Sequence, residues 1–176
     1  MRTPELPLQV DDLVLSQWDR GYDVPLVQQA SRDRFIAQMC SIPIDCDVEA
    51  ARDWIYRRTT ERNYCSLVIF DAQLERRVGE VALHGHSDEV TANLYYWLLP
   101  SARGRGLARR ACRLLCRWAL TQTPLAAVSA FASQRNIASV RVLQQLGFHR
   151  VGQIPDFAGY PDRRDTFGYC LFQPPG

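Results

Sequence analysis

Arg103-Gly104-Arg105-Gly106-Leu107-Ala108 is the stretch on which the reading of this chain turns. Before it, residues 91–99 are strand-like, with β-compatible aromatics at Tyr95, Tyr96 and Trp97. Pro100 ends that strand because proline has no amide to give to a ladder. After it, residues 107–120 read as a helix. Leu107, Ala111, Leu114, Leu115 and Trp118 form an apolar stripe, while Arg109, Arg110, Arg113 and Arg117 face elsewhere. The first amides of a helix lack internal partners and lie at the positive end of its dipole. Glycines let the backbone approach an anion closely, and arginines beside them add charge-assisted donors. Strand, glycine turn and helix in this order fit a diphosphate. The plainer alternative is a helix cap decorated with arginine.

Outward from the turn, the pattern is one of alternating elements. Residues 12–17 form a short first strand, and Asp23-Val24-Pro25 starts a helical pattern that runs to about Cys40 with a break near Ser31. Asp47 caps a helix carrying Val48, Ala51, Trp54 and Ile55. Residues 65–70 and 78–84 make a hairpin around the turn at 71–75. Downstream come a strand at 126–131, a helix at 136–146 stopped by Gly147, and strands at 148–154 and 165–172. The fold class is α/β (α+β), and with no linker, repeat or low-complexity stretch, residues 1–176 are taken as a single domain.

Composition narrows the functions. The chain is 47% hydrophobic, enough to build a core without staples, and its net charge of +2 argues against a nucleic-acid or membrane-surface binder. All 21 basic residues are arginine. Without lysine there is no Schiff-base chemistry and no phosphate loop of the G-x-x-x-x-G-K type. The six cysteines contain no C-x-x-C pair. Cys112 and Cys116 could share a helix face as metal ligands, but no histidine is near, and buried cysteine commonly serves as a small core residue; no metal is expected. No leader-like segment or apolar run of spanning length is present, so a reduced, soluble, cytoplasmic protein is expected.

With these residues in place, the chain resembles the GNAT superfamily of N-acyltransferases. Arg103-x-x-Gly106-x-Ala108 is similar to its Q/R-x-x-G-x-G/A coenzyme A signature, set after a strand. Downstream, Asn136-Ile137-Ala138-Ser139, then Leu146-Gly147-Phe148, resembles the N-x-x-S…L-G-F pattern of the branch containing the ribosomal-protein alanine N-terminal acetyltransferases. Tyr96-Trp97-Leu98 resembles the same branch. The resemblance implies a mixed, mostly antiparallel central sheet flanked by helices and splayed at the acyl-CoA site. It implies acetyl-CoA, or another acyl-CoA, as co-substrate. It assigns the backbone amides of Arg103, Gly104, Arg105, Gly106, Leu107 and Ala108 to the pyrophosphate. It assigns the backbone of Leu98 and Leu99 to the pantetheine arm, which adds like a strand, with one amide polarising the thioester carbonyl. Asn136 reaches the cofactor or caps its helix, and it can do both.

The chemistry so implied is direct attack of a neutral amine on the bound thioester, which needs a base for the amine and an acid for the departing thiolate. Ser139, one turn after Asn136, is the acid candidate; its alternative is a bond to a helix carbonyl. The branch carries a glutamate in the strand before the turn, where this chain has Asn93, which cannot serve as a carboxylate base. Glu80 on the neighbouring strand is the candidate in its place, with His84 and His86 as alternatives. Glu80 can also be read as a strand-edge charge and the histidines as surface residues.

The acceptor is expected to be a primary amine, either a small metabolite or a protein N-terminus. Trp18, Tyr22, Trp54, Phe157 and Tyr160 could line its pocket, Asp45 and Asp47 could attract its charge, and the loop 159–165 could cover it. A homodimer is compatible with such a domain. Two other functions compete: a noncatalytic acyl-CoA sensor, consistent with Asn93, and an RNA module built on Arg109, Arg110, Arg113 and Arg117, which the low net charge disfavours.

Overall fold

A hairpin opens the chain in the computed structural model, which describes residues 4–5, 7–153 and 165–173. Its strands, β1 (Leu8–Val10) and β2 (Leu13–Ser16), turn through Asp11 at φ 51°. The sequence pattern predicts only the second strand, because three residues carry no readable period. Aspartates then set the early helices. The segment predicted as one interrupted helix is two: α1 (Val24–Ser31) and α2 (Arg34–Cys40). Asp33 separates them by capping α2, accepting from the amides of Phe35 at 3.0 Å and Ile36 at 3.2 Å. Asp23, expected to cap α1, does not. Its Oδ2 accepts from the Asp19 amide at 2.7 Å and from Arg77 instead. Asp47 caps α3 (Val48–Thr60) as expected, through the Ala50 amide at 2.8 Å.

The central strands are β3 (Tyr64–Asp71), β4 (Arg76–Gly85) and β5 (Thr91–Leu98). A single 3-10 turn over Pro100–Ala102 leads through the glycine turn into α4 (Leu107–Gln122). The chain closes with β6 (Ala127–Ser133), α5 (Ile137–Gln145), β7 (His149–Gln153) and β8 (Thr166–Phe172). The eight strands lie in the order β1-β2-β3-β4-β5-β6-β8-β7, all antiparallel to their neighbours except β5 and β6. This is the mixed, mostly antiparallel sheet expected.

Side-chain alternation divides the core into two layers. Ala92, Leu94 and Leu98 of β5 face the α4 side, where Leu107, Ala111, Leu115 and α5 Leu143 are buried with them. Burying a leucine completely contributes roughly 1.5–3 kcal/mol, so this layer holds α4 firmly to the sheet. Trp97 faces the other way, into a cluster formed by Trp18, Trp54 and the apolar sides of α1–α3. Gly79 of β4 makes the close pairing with β5 possible. A Cβ there would overlap the Trp97 carbonyl oxygen and come within 2.8 Å of Leu98 Cδ2.

Candidate active site

Among the described residues there is one parallel pairing, and it is short. β5 and β6 are paired only at Thr91–Ala127, Ala92–Val128 and Asn93–Ser129. Beyond that point β5 stays with β4 as far as Leu98–Gly79, and β6 stays with β8 as far as Ser133–Thr166. The two strands therefore part and leave a notch. The amide of His86 donates to Thr91 O and that of Leu99 to Val78 O, both at 2.9 Å. In an antiparallel ladder these pairs alternate, so odd-numbered residues of β5 spend their backbone groups on β4. Leu94, Tyr96 and Leu98 turn theirs toward the notch. Leu98 O accepts from Arg103 Nε at 3.0 Å, and its amide faces the opening. The Leu99 amide is committed to the sheet.

At the mouth of the notch is the glycine turn. Gly104 and Gly106 have φ of 80° and 73°, in the left-handed region that side chains disfavour. A Cβ at Gly104 would meet nothing within 4 Å, and at Gly106 only Arg109 Nη2 at 4.0 Å. Conformation therefore demands these glycines, and the space beside them is open. Gly106 occupies the N-cap position of α4 with no side-chain cap, so the first amides of α4 face that same space. Such a cradle fits a pyrophosphate, and the strand edge behind it fits an amide-bearing arm.

The guanidinium groups have a different task from the amides. Arg103 Nη2 pairs with Asp33 Oδ2 at 2.8 Å, Arg105 with Asp71 and with Gln73 Oε1 at 2.6 Å, and Arg110 with Asp12. They tie the turn to α2, to the end of β3 and to the first hairpin. Burial alone would raise the Asp33 carboxyl, but the Ile36 amide and Arg103 outweigh it and hold it below the ordinary carboxylate value.

On the far wall, Asn136 caps α5, its Oδ1 accepting from the Ser139 amide at 3.1 Å. This leaves its Nδ2 hydrogens for another partner. Ser139 Oγ lies 2.6 Å from the Tyr96 hydroxyl, so the two residues meet across the notch. Burial pushes the Tyr96 phenol well above its usual value, with Cys112 nearby adding to the effect. The alternation of β5 puts Tyr96 on the Leu98 face, but nothing in the local sequence reveals a partner 43 positions away.

Glu80 is 1% exposed. Its Oε1 accepts from Ser66 Oγ and its Oε2 from Trp97 Nε1, both at 2.6 Å, with Arg58 Nε at 3.9 Å from Oε1. Ser66 Oγ in turn accepts from Trp18 Nε1 at 2.7 Å. Arg58 also donates to the Tyr64 hydroxyl and to Cys40 O, which Trp54 Nε1 shares. The carboxylate thus ties α3, the segment after β2 and the sheet together. His84 faces Glu61 at 3.7 Å and the Tyr64 ring at 5.3 Å, whereas His86 Nε2 lies 3.4 Å from Ser129 Oγ. Asn93 is buried, and its Oδ1 accepts from Ser129 Oγ at 3.1 Å.

Of the aromatic residues expected around the acceptor, Trp18 and Trp54 pack edge to face in the core, 5.4 Å between ring centroids. Tyr22 is exposed, with Arg77 over its ring. Phe157, Tyr160 and the loop up to residue 164 lie outside the described residues. Cys112 and Cys116 are buried in the α4 layer. Among the described residues there is no metal-ligand cluster, and no helix is long and apolar enough to cross a membrane.

Residues 12–149 match the family model described as the acetyltransferase (GNAT) domain. The chain belongs to the GNAT acetyltransferase family. Over 86 residues it is 34% identical to the Bacillus subtilis (strain 168) protein named "Probable N-acetyltransferase YjcK", a match spanning 48% of this GNAT chain and 48% of that protein. The chain thus spans about half the length of the curated relative it matches. A GNAT-family acetyltransferase from Bacillus anthracis superposes with a TM-score of 0.81 at 15% identity, covering 96% of this chain and 99% of the other. RimL, a ribosomal L7/L12 alpha-N-protein acetyltransferase in complex with coenzyme A, gives 0.78 at 18% identity over 95% and 98%. Spermidine N-acetyltransferase from Vibrio cholerae, in complex with CoA and spermine, gives 0.76 at 19% identity over 92% and 96%. These structural likenesses establish the GNAT fold.

Proposed function

We propose that this protein transfers an acetyl group from acetyl-CoA to a primary amine, with both substrates held together in the notch between β5 and β6. The observation that carries the reading is the union of three features at one place: the parted strands, the uncapped α4 N-terminus and the open glycine cradle. The amides of residues 104–108 hold the pyrophosphate; that of Arg103, expected to join them, is already donated to Pro100 O at 3.2 Å. The Leu98 amide receives the pantetheine arm, and Asn136 adds its side-chain amide from the opposite wall. When bound, acetyl-CoA supplies an activated acyl carbon beside the place where β5 and β6 part.

Ser139 protonates the departing thiolate from Oγ, and Tyr96 orients that hydroxyl through their 2.6 Å contact. The phenol is neutral at physiological pH, as an ordinary tyrosine is, and burial only reinforces this, so it can donate to Ser139 as well as accept. Glu80, with both oxygens occupied, serves by fixing Trp97 and the strand that carries Leu98. The acceptor falls in the class that structural neighbours with this fold handle, a polyamine or a protein α-amine.

Thermal unfolding with acetyl-CoA and thiol release across a panel of polyamines, small amines and peptide N-termini, each with several acyl-CoA donors, test this. Saturating acetyl-CoA should raise Tm, and at least one amine should release thiol. No Tm shift overturns the donor assignment. A shift without turnover on any amine replaces the enzyme by an acyl-CoA sensor, the reading that Asn93 favours.

A further inference from the structure

We propose that His86, acting through Ser129 Oγ, takes the proton that the acceptor amine must lose, and that the amine enters through the cavity these two residues line. This rests on the acetyl-transfer reading and supplies the base it lacks. The cavity, about 430 Å³, is bordered by His86, Asp88, Thr91, Ser129 and Cys170. Ser129 stands opposite Asn93 at the last paired position before β5 and β6 part, so the cavity reaches the closed end of the notch. Asn93 shares this face with Trp97, opposite to the face on which Tyr96 meets Ser139. Acid and base therefore stand on different sides of the sheet, so that each can reach a different atom of the reacting pair.

The other candidates are closed off. Asn93 has no proton to gain at neutral pH, Glu80 has both oxygens engaged at 1% exposure, and His84 is turned toward Glu61 and Tyr64. The Ser129 hydroxyl has one hydrogen, which rests on Asn93 Oδ1 at 3.1 Å and Ala92 O at 3.3 Å. For the relay it rotates toward His86 Nε2, 3.4 Å away, which accepts it in the tautomer that carries the ring proton on Nδ1. As the C–N bond forms, the amine gives one proton to Ser129 Oγ while Ser129 gives its own to His86 Nε2. The C–S bond breaks, and the thiolate takes its proton from Ser139, which recovers one from solvent by way of the Tyr96 hydroxyl 2.6 Å away. Ser129, having gained one proton and lost one, ends uncharged, and the exposed imidazolium returns its proton to water. The titratable groups facing His86 are Asp88 on its own turn and Cys170 on β8. The Asp88 carboxylate, ordered by Thr91 and the Val90 amide, offsets the positive charge left on the imidazole and favours a cationic amine over an anionic acceptor.

His86→Gln, Ser129→Ala and their double variant test this with the best amine from the panel. His86→Gln should lower kcat by about 10²-fold or more and remove the acidic limb of the pH–rate profile. The Tm rise produced by acetyl-CoA should be that of the wild type. Added imidazole should restore part of the rate to His86→Ala. Because the two residues form one relay, the double variant should lose no more than the worse single one. Wild-type kcat in His86→Gln, absence of imidazole rescue, or multiplying losses in the double variant overturns this proposal while leaving acetyl transfer intact. A wild-type protein that neither binds acetyl-CoA nor acylates any amine overturns the proposed function and this relay together.

Discussion

At the scale of single residues, the proposed acid step rests on two side chains that meet from distant parts of the chain. Ser139 is singled out in the sequence by its spacing after Asn136, but its contact with Tyr96 is not readable there. The Tyr96 hydroxyl bonded to it is brought there by the parting of two strands. Ser139→Ala is expected to lower kcat by about 10²-fold with acetyl-CoA binding retained. Tyr96→Phe should act in the same direction, and in steady-state kinetics the double variant should fall short of the product of the two losses. Strictly multiplicative effects would mean that the 2.6 Å contact has no part in the acid step. Glu80 shows the opposite side of legibility. Its place on a strand was readable, but its burial was not, because Ser66, Trp97 and Arg58 come to it from three separate segments, with Trp18 behind Ser66 from a fourth. Glu80→Gln keeps the shape but turns one acceptor face into a donor facing a donor. The expected cost is about 1–3 kcal/mol in denaturant unfolding, and unchanged stability would show that the carboxylate charge is dispensable there.

At the scale of elements, the strand–turn–helix unit was read correctly from its glycines, its proline and the helical stripe. The sequence does not say which way its arginines point, since the aspartates that capture them lie on β3, α2 and the first hairpin. Gly106→Ala separates conformation from contact, because a methyl group there has open space. Forcing alanine to φ 73° should cost about 1–2 kcal/mol in unfolding and weaken acetyl-CoA binding measured by calorimetry. The Asp33–Arg103 pair couples the turn to α2. A carboxyl held below its unfolded value of about 3.9 contributes stability that is fully present above that pH. That stability is lost as the pH falls through the lower folded value. Acid titration of unfolding free energy should therefore show a decline below about pH 4 that Asp33→Asn diminishes. An identical decline in the variant would assign the loss to other carboxylates.

At the scale of the whole molecule, the order of elements and the mixed sheet were available from periodicity, capping aspartates and turn residues. The break between α1 and α2 was visible near Ser31, but the three-residue β1 had no period to betray it. Missing altogether from local pattern was the depth of the notch, which is a matter of where β6 leaves β5 for β8. The positive charges that brace this notch carry a further consequence. Arg103, Arg105 and Arg110 are guanidinium groups, and the chain has no lysine anywhere. A guanidinium stays protonated at neutral pH and does not attack a thioester, whereas a lysine in the same place would be a rival nucleophile. In the proposed complex, the charges that brace the turn around a reactive donor are chemically inert toward it. Residues 1–176 therefore offer no side-chain amine to consume the acyl group of that complex before an outside acceptor arrives.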